Sequence, residues 1–364
     1  MAASTPPAKA PRIPPPSTIR TRFFFPFARG KVREASLNCS CDFRFLRGIV
    51  LPSNMKRIAA NNAFSRTFVT LALVCCFTFC SESEHPVEPH AAEIVSSILQ
   101  TQEALKKDHC PNGCIFLSFW DFDGTILKGD CSEGLKEGDK TVYRGLVELT
   151  IEQGFSSEFR RNETSQFEEE YRRRDRDLGH RNAYTFLTTQ YGGADPQEIL
   201  AFATRRFQEV YRDFYFSSSI KMWKDLEKAG IQNHIISASP HFFVQGATDT
   251  LDTSPDRING VRLKMEDGQL LPVLDPPLTY AEGKTQTLQT IVQRIQSENP
   301  DKNIFVLAAF GNSYHTDGPF LEFVGSSALP AGKTKVVMIN GGEAPAEYND
   351  RFLKVEQNLT VGRQ

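Results

Sequence analysis

The stretch that decides the fold is residues 115–127, Ile-Phe-Leu-Ser-Phe-Trp-Asp-Phe-Asp-Gly-Thr-Ile-Leu. An apolar run typical of a buried strand passes directly into Asp121 and Asp123 and then into Gly-Thr. Ligands of open α/β folds bind at the carboxyl ends of strands, so this pattern predicts an active site. Side chains at i and i+2 of a strand share a face, which directs both carboxylates toward one pocket. Their mutual repulsion requires a metal ion or a proton to relieve it.

Three further segments place polar residues at the ends of apolar elements. They predict a strand ending in Ser237, a helix opening with Lys284, and a strand followed by Asn312 and Asp317. The sequences are His-Ile-Ile-Ser-Ala-Ser-Pro at 234–240, Glu-Gly-Lys-Thr at 282–285 and Gly-Asn-Ser-Tyr-His-Thr-Asp at 311–317. Each segment is unspecific alone, and the specificity of the set comes from its order and spacing.

Together the four motifs resemble those of the haloacid dehalogenase superfamily of phosphatases and phosphotransferases, over residues 114–341. The resemblance implies an enzyme, a Mg²⁺-dependent phosphomonoester hydrolase that works through an aspartyl phosphate. It implies Asp121 as the nucleophile and Asp123 as the general acid and base. One position departs from the family pattern, because Asn312 stands where Asp is commoner.

The resemblance also implies how the phosphoryl group and the cofactor would be held. The phosphoryl oxygens would contact Ser237, Lys284 and Thr125. The Mg²⁺ ligands would be Asp121, Asp123 through its carbonyl oxygen, Asn312 and Asp317. An amide ligand keeps an oxygen but loses a charge, so Asn312 is expected to weaken Mg²⁺ binding, with Asp317 compensating.

The amino-terminal part of the chain differs in charge from the rest. Residues 1–80 contain 12 basic residues and two acids, which leaves 30 basic and 42 acidic residues in the remainder. Residues 1–54 lack an apolar period and are expected to be a disordered or spurious extension. Residues 55–80 run from basic through apolar to polar and are typical of a signal peptide or membrane anchor.

This succession predicts that Met55 is the initiator and that the protein is exported, periplasmic or tethered to a membrane. Cys76 or Cys80, near the end of the apolar run, leaves lipoprotein anchoring open. An Arg-rich, acid-poor start also suits an organellar transit peptide.

Downstream, strands alternating with helices predict an α/β fold with a doubly wound, mostly parallel Rossmann-like sheet. Residues 81–108 are expected to be a tether and a helix, and residues 109–134 and 220–364 the catalytic core. Residues 135–219 read as an α-helical cap, with one apolar stripe at Val142, Leu146 and Leu149 and another at Ile199, Ala203, Phe207, Val210 and Phe214. A hairpin is predicted at 260–273.

The three cysteines Cys110, Cys114 and Cys131 leave two alternatives open, a disulfide among them or free thiols. A disulfide would brace the edge of the first strand. The charged run at 168–177 is predicted to be a solvated helix face.

The predicted partner is a small phosphorylated metabolite and no nucleic acid. The cap position and the motif surroundings are similar to those of phosphoserine and phosphocholine phosphatases. Asp130 is expected either to meet a substrate amine or to be a surface turn acid. Two other functions stay open, a phosphotransferase or mutase, and a non-catalytic binding protein suggested by Asn312.

Overall fold

The computed structural model describes residues 85–362. The predicted extension, the signal or anchor segment and the candidate lipid-bearing cysteines all lie outside the described residues. None of the helices between residues 85 and 362 combines the length and the apolar character that crossing a membrane requires.

The strands of the described chain build one large sheet and one hairpin. In chain order they are β1 (Cys114–Trp120), β2 (Gly134–Glu137), β3 (Lys140–Arg144), β4 (Ile231–Pro240), β5 (Ile258–Glu266), β6 (Gln269–Asp275), β7 (Asn303–Gly311), β8 (Lys335–Ile339) and β9 (Leu353–Val355). The sheet has the order β6-β5-β4-β1-β7-β8-β9. All its pairings are parallel except that of β6 with β5, which is the predicted hairpin. The predicted fold class is therefore confirmed.

Helices cover both faces of this sheet. They are α1 (His90–His109), α2 (Leu146–Gln153), α3 (Thr164–Leu178), α4 (His180–Thr189), α5 (Pro196–Glu209), α6 (Ser217–Lys228), α7 (His241–Val244), α8 (Glu282–Glu298) and α9 (Tyr314–Ser326). One core cluster contains Leu117, Phe119 and the apolar side of α8 and α9. A separate cluster contains Phe116, Trp120 and residues of α1 and α6. Successive side chains of β1 therefore enter different cores, as period-two geometry requires.

The central strand β1 is buried on both faces, which explains its almost unbroken apolar sequence. Its one buried hydroxyl, Ser118, donates to Asn233 Oδ1 at 2.5 Å and accepts from Trp120 Nε1 at 2.8 Å. Because β1 pairs with β4 and β7, three strands that carry sequence motifs lie side by side. Parallel pairing brings their carboxyl ends to the same edge of the sheet.

Residues 121–216 separate β1 from α6 and contain four helices, α2 to α5, preceded by the hairpin β2-β3. The assignment of Val142 to a helical stripe is wrong, because Val142 lies in β3. The turn at Gly138, with φ of 60°, and the alternation of Lys140–Arg144 explain the hairpin. We call residues 124–216, which follow the two carboxylates of the first motif, the insertion.

A disulfide joins Cys110, just after α1, to Cys114, the first residue of β1. Of the two alternatives for the cysteines, the structure has the disulfide, and it sits at the start of the first strand as expected. Cys131 is a buried free thiol.

Candidate active site

Polar side chains from three adjacent strands meet at the carboxyl edge of the sheet. Asp121 and Asp123 follow β1, Ser237 lies near the end of β4, and Asn312 follows β7. The first turns of α8 and α9 add Lys284 and Asp317. The hydrogen bonds described below join most of the residues predicted from the motifs into one cluster.

Lys284 forms the centre of this cluster. Its Nζ lies 2.6 Å from Asp121 Oδ1 and 2.6 Å from Asp317 Oδ1, and its side chain is fully buried. Burial alone would lower the pKa of Lys284, but the two carboxylates outweigh burial and raise it. The ammonium is therefore charged and neutralises part of the acidic cluster.

Asp121 is held by donors on both carboxylate oxygens. Oδ1 contacts Lys284, and Oδ2 accepts a hydrogen bond from the Thr125 hydroxyl at 3.0 Å. Burial, followed by the charge of Asp317, raises the pKa of Asp121 to about 7. Thr125, predicted to bind phosphate, is directed at the Asp121 carboxylate in this structure and fixes its orientation.

Asp123 is anchored by different donors. Oδ1 accepts from the Cys131 backbone N–H at 2.6 Å, and Oδ2 accepts from the hydroxyls of Ser239 at 2.7 Å and Ser237 at 3.3 Å. Burial raises the pKa of Asp123, against the opposing effect of these hydrogen bonds. Ser237, predicted to hold a phosphoryl oxygen, donates to Asp123 in this structure. Ser239 was not predicted, although its i+2 spacing from Ser237 places both on one face of β4.

Asp317, predicted to be a metal ligand, lies against Lys284 and the turn that follows β7. It is fully buried, and while Oδ1 binds Lys284, Oδ2 accepts the backbone N–H groups of Asn312 at 2.8 Å and Ser313 at 3.0 Å. Protein donors thus engage both oxygens, because the first turn of α9 folds back over the end of β7. The structure makes Asp317 the second counter-ion of Lys284.

Asn312 packs directly against the backbone of the first motif. A Cβ atom added to Gly124 would lie 1.9 Å from Asn312 Nδ2, so this approach requires glycine. The turn also needs a φ of 73° at Gly124, which L residues with a side chain rarely adopt. The Asn312 amide is therefore held beside the loop that carries Asp121 and Asp123.

The donor set of this cluster fits a hard divalent cation such as Mg²⁺. Asp121, the carbonyl of Asp123 and the Asn312 amide offer oxygen ligands. Asp121 and Asp317 share the Lys284 ammonium, and the charge of Asp123 also acts on Asp121, so the cluster has surplus negative charge that a cation would neutralise. A second grouping, Asp123, Asp130 and Cys131, has ligand atoms within 4.8 Å of one another. Burial and Asp123 raise the pKa of the Cys131 thiol well above its usual range, which disfavours that grouping for Mg²⁺.

Acidic and phenolic side chains lie beside the catalytic cluster. Asp130 Oδ1 accepts the backbone N–H groups of Ser132 at 2.6 Å and Glu133 at 2.9 Å. Asp130 is half-buried, and burial together with the charge of Asp123 raises the pKa of its carboxyl group well above the usual range. The Glu133 carboxylate accepts from the Tyr171 hydroxyl at 2.9 Å.

Helices α3 and α4 supply the two tyrosines of this region. Burial raises the pKa of Tyr184 well above its usual range, and the charges of Asp130 and Glu133 add to the shift, so its hydroxyl stays protonated beside these acids. Tyr171 belongs to the charged run at 168–177, which was predicted to be a solvated face. That prediction describes only the outer side of α3, since Tyr171 and Arg174 turn inward, with Arg174 stacked 4.1 Å from the Phe186 ring centroid. No sequence pattern identified Glu133, Tyr171 or Tyr184.

Comparison with solved structures finds matches of low sequence identity. A cytosolic 5′-nucleotidase IIIB bound to cytidine has 15% identity and a TM-score of 0.48, covering 77% of this chain and 90% of its own. A conserved protein of unknown function from Anaerococcus prevotii has 13% identity and a TM-score of 0.49, with coverages of 75% and 93%. A phosphoserine phosphatase with a phospho-aspartyl intermediate analogue has 13% identity and a TM-score of 0.40, with coverages of 68% and 96%.

No curated protein matches this chain in sequence. The sequence model of the haloacid dehalogenase-like hydrolase family matches residues 118–322. This match spans more than half of the chain and contains every residue of the polar cluster described above. The chain belongs to the haloacid dehalogenase-like hydrolase family, as its motifs predict.

Proposed function

We propose that this protein hydrolyses phosphate monoesters through a covalent intermediate on Asp121. The observation that carries the proposal is the placement of Lys284, which bridges Asp121 and Asp317 at the carboxyl edge of the sheet while Asp123 is anchored separately. This arrangement provides a nucleophile, positive charge and a second carboxyl group with its own partners. Those are the groups that phosphoryl transfer needs.

Asp121 would attack phosphorus with its carboxylate. Thr125 and Lys284 hold the two oxygens of this carboxylate, which restricts its rotation and keeps it oriented toward the incoming ester. The Lys284 ammonium would also stabilise charge on the transferred phosphoryl oxygens. Attack breaks the bond between phosphorus and the ester oxygen and leaves phosphate on Asp121.

Asp123 would supply the proton that the departing alkoxide needs. Burial raises its pKa, which favours the protonated form required for this step. After the alcohol leaves, the Asp123 carboxylate would accept a proton from water as that water attacks the phospho-aspartate. Ser239 and the Cys131 N–H fix the carboxyl group in both steps.

The residues that would hold Mg²⁺ are Asp121, Asn312 and the carbonyl of Asp123. When bound, the ion would supply positive charge for the phosphoryl oxygens and reduce repulsion among the carboxylates. Asp317 supports the site indirectly, because it shares Lys284 with Asp121. The chain's own groups would perform the attack and the proton transfers.

We propose further that the substrate carries a positively charged amine, as in phosphoserine, phosphoethanolamine or phosphocholine. Asp130 and Glu133 place two carboxyl groups beside Asp123, and Tyr184 adds an aromatic ring. Carboxylates attract an ammonium, and a phenol ring attracts it through its electron-rich face. An ester whose alcohol part carries no positive charge has no group that these carboxylates would attract.

Release of inorganic phosphate from a panel of esters tests this function. We expect turnover of p-nitrophenyl phosphate with Mg²⁺ and its loss on chelation. Phosphoethanolamine and phosphocholine should exceed glycerol 3-phosphate in kcat/KM by about tenfold or more, the value of one good charge contact. Asp121→Asn is the inactive control.

Absence of phosphate release from every ester, aryl phosphate included, would favour the non-catalytic alternative. Transfer to an added alcohol at the expense of free phosphate would instead indicate a phosphotransferase.

A further inference from the structure

Two buried hydroxyl groups in series connect the turn at residues 130–134 to Asp123. The Ser132 hydroxyl donates to Ser239 Oγ at 3.0 Å, and the Ser239 hydroxyl donates to Asp123 Oδ2 at 2.7 Å. Ser132 lies just before β2, and Ser239 lies near the end of β4. The two serines are 2% and 3% exposed, so bulk water does not compete for these hydrogen bonds. Ser132 therefore reaches Asp123 through Ser239.

The direction of donation in this chain follows from the charge of its last member. An ionised carboxylate accepts only, so Asp123 Oδ2 receives the single proton of the Ser239 hydroxyl. The Ser239 oxygen then accepts from Ser132. Oδ2 accepts from the Ser237 hydroxyl as well, whereas within residues 85–362 Oδ1 accepts the Cys131 N–H alone. When Asp123 acts as an acid its proton is therefore carried on Oδ1, and the chain keeps one direction in both states.

Both backbone polar groups of Ser132 are held by neighbouring parts of the insertion. The N–H donates to Asp130 Oδ1 at 2.6 Å, and the carbonyl oxygen accepts from the Val147 N–H, in the first turn of α2, at 3.1 Å. A Cβ atom on Gly145 would lie 2.2 Å from that carbonyl oxygen, so the close approach of the chain here requires glycine. The fixed backbone restricts the position from which the Ser132 hydroxyl donates.

The first hydrogen bond of the chain affects the second. A hydroxyl that accepts a hydrogen bond is a stronger donor, so the bond from Ser132 strengthens the one that Ser239 makes to Asp123. It also restricts the rotamer of Ser239, whose oxygen must face Ser132 while its proton faces Asp123. Without Ser132 the Ser239 oxygen loses a partner, and the Asp123 carboxyl group is held less firmly. Proton transfer requires the acid within hydrogen-bond reach of the departing oxygen, so a loosely held acid is slower.

We propose that Ser132 is a positioning residue for the acid step and that it acts on Asp123 through Ser239. The inference rests on the proposed function, in which Asp123 protonates the departing alkoxide. Its loss should affect only a step that uses the Asp123 proton. Attack by the Asp121 carboxylate does not depend on this chain of hydroxyls.

The dependence of kcat/KM on the leaving group tests the proposal on the full chain. In a series of aryl and alkyl phosphates, only the poorer leaving groups need the proton. Ser132→Ala should lower kcat/KM about fivefold for phenyl phosphate and alkyl esters, the value of one hydrogen bond, and less than about twofold for p-nitrophenyl phosphate. The plot of log kcat/KM against the pKa of the leaving alcohol should therefore become steeper. A loss of folded protein would lower kcat/KM for all esters alike and leave the slope unchanged.

A double-variant cycle tests whether Ser132 acts through Ser239. Ser239→Ala alone should steepen the slope more than Ser132→Ala does. Adding Ser132→Ala to Ser239→Ala should change nothing further, because the hydrogen bond that Ser132 supports is already gone. Thr150→Val is the matched control. The Thr150 hydroxyl is also buried in the insertion but donates to the Leu146 carbonyl oxygen at 2.6 Å, so its loss should leave the slope unchanged.

Three outcomes would overturn the proposal. They are an equal loss of kcat/KM for all esters in Ser132→Ala, no loss for any ester, and additive effects of the two serine variants. Each is compatible with turnover by the wild type and leaves the proposed function intact. Absence of phosphate release by the wild type is a different result, and it would overturn the proposed function together with this inference.

Discussion

The catalytic edge of the sheet and the insertion beside it hold their functional side chains in different ways. At the sheet edge, Asp121, Asp123 and Asp317 each accept hydrogen bonds from two to four protein donors. In the insertion, Asp130 also accepts two backbone N–H groups, but within residues 85–362 the exposed Glu133 carboxylate accepts one hydrogen bond, from Tyr171. Groups held by several donors have one geometry for every substrate, whereas a group with one contact is free to adjust to a ligand. We infer that the edge determines the reaction and the insertion determines which ester reacts.

The largest expected effect is at Asp121. Asp121→Asn removes the attacking carboxylate, so the rate should fall by about three orders of magnitude or more for all esters alike. The loss of rate is measured by steady-state kinetics with p-nitrophenyl phosphate and with phosphoethanolamine. Circular dichroism verifies that the variant is folded. A variant that retains activity within tenfold of wild type would show that Asp121 is not the nucleophile.

Asp123→Asn should have the next largest effect, and its size should depend on the leaving group. An alkoxide needs a proton to depart and a nitrophenolate does not, so losses of about 10² to 10³ are expected for alkyl phosphates and about tenfold for the aryl ester. The ratio of kcat/KM between the two esters is the measurement. Equal losses would contradict the acid role and leave Asp123 as a structural anchor for Ser237 and Ser239.

The sequence predicts well which residues meet at this edge of the sheet, because their placement follows from strand order. Apolar runs that end in Asp121, Ser237 and Asn312 each read as a buried strand followed by a polar residue. Parallel strands present their carboxyl ends at one edge, so residues distant in sequence must meet there. Lys284 was predicted for a related reason, since it opens the helix that follows the second motif. Placement by topology needs no knowledge of side-chain packing.

The exact partners were less predictable, because they depend on distances that patterns do not encode. Thr125 and Ser237 were predicted to contact phosphate, and their hydrogen bonds to Asp121 and Asp123 were not foreseen. Asp317 was predicted to bind metal, and its ion pair with Lys284 was not foreseen. A hydroxyl near two acids could contact either phosphate or a carboxylate. Its side-chain rotamer, which the sequence does not specify, determines which contact forms.

The insertion was the least predictable part. Its helices were recognisable by period, but their packing brings Tyr171 and Tyr184 to the acids Glu133 and Asp130 across long stretches of chain. Val142 was misassigned because a β-branched residue four positions before Leu146 suits a helical stripe as well as a strand. Tyrosines on amphipathic helices are commonly core residues, so nothing in the sequence distinguishes Tyr171 and Tyr184 from tyrosines that only pack in the core.

Glu133→Gln tests whether the insertion selects the substrate. It removes one negative charge and leaves a group that still accepts a hydrogen bond from Tyr171, so the fold should persist. We expect kcat/KM for phosphocholine and phosphoethanolamine to fall about tenfold while glycerol 3-phosphate and p-nitrophenyl phosphate change less than twofold.

The matched control for this experiment is Glu169→Gln, the same change on the exposed side of α3. Glu169→Gln should leave kcat/KM unchanged for every ester. If Glu133→Gln lowers kcat/KM for all esters by the same factor, Glu133 contributes to the reaction itself and not to the choice of substrate.

The smallest expected effect concerns Asn312, where this chain departs from the family pattern. Asn312→Asp keeps the shape of the side chain and adds a charge to a cluster that already has three carboxylates and one ammonium. With Mg²⁺ bound the new charge attracts the ion, so the Mg²⁺ concentration for half-maximal activity should fall a few-fold. Without Mg²⁺ the same charge adds repulsion, so the melting temperature of the metal-free variant should fall below that of the wild type. Magnesium should then raise the melting temperature more in the variant than in the wild type.

Asn162→Asp, at an exposed position of the insertion, is the control and should show neither effect. A magnesium requirement that rises or stays unchanged would mean that Asn312 is not a ligand, and the surplus charge at this edge would then have to be balanced by Lys284 and by protonation of Asp121, whose raised pKa already permits it.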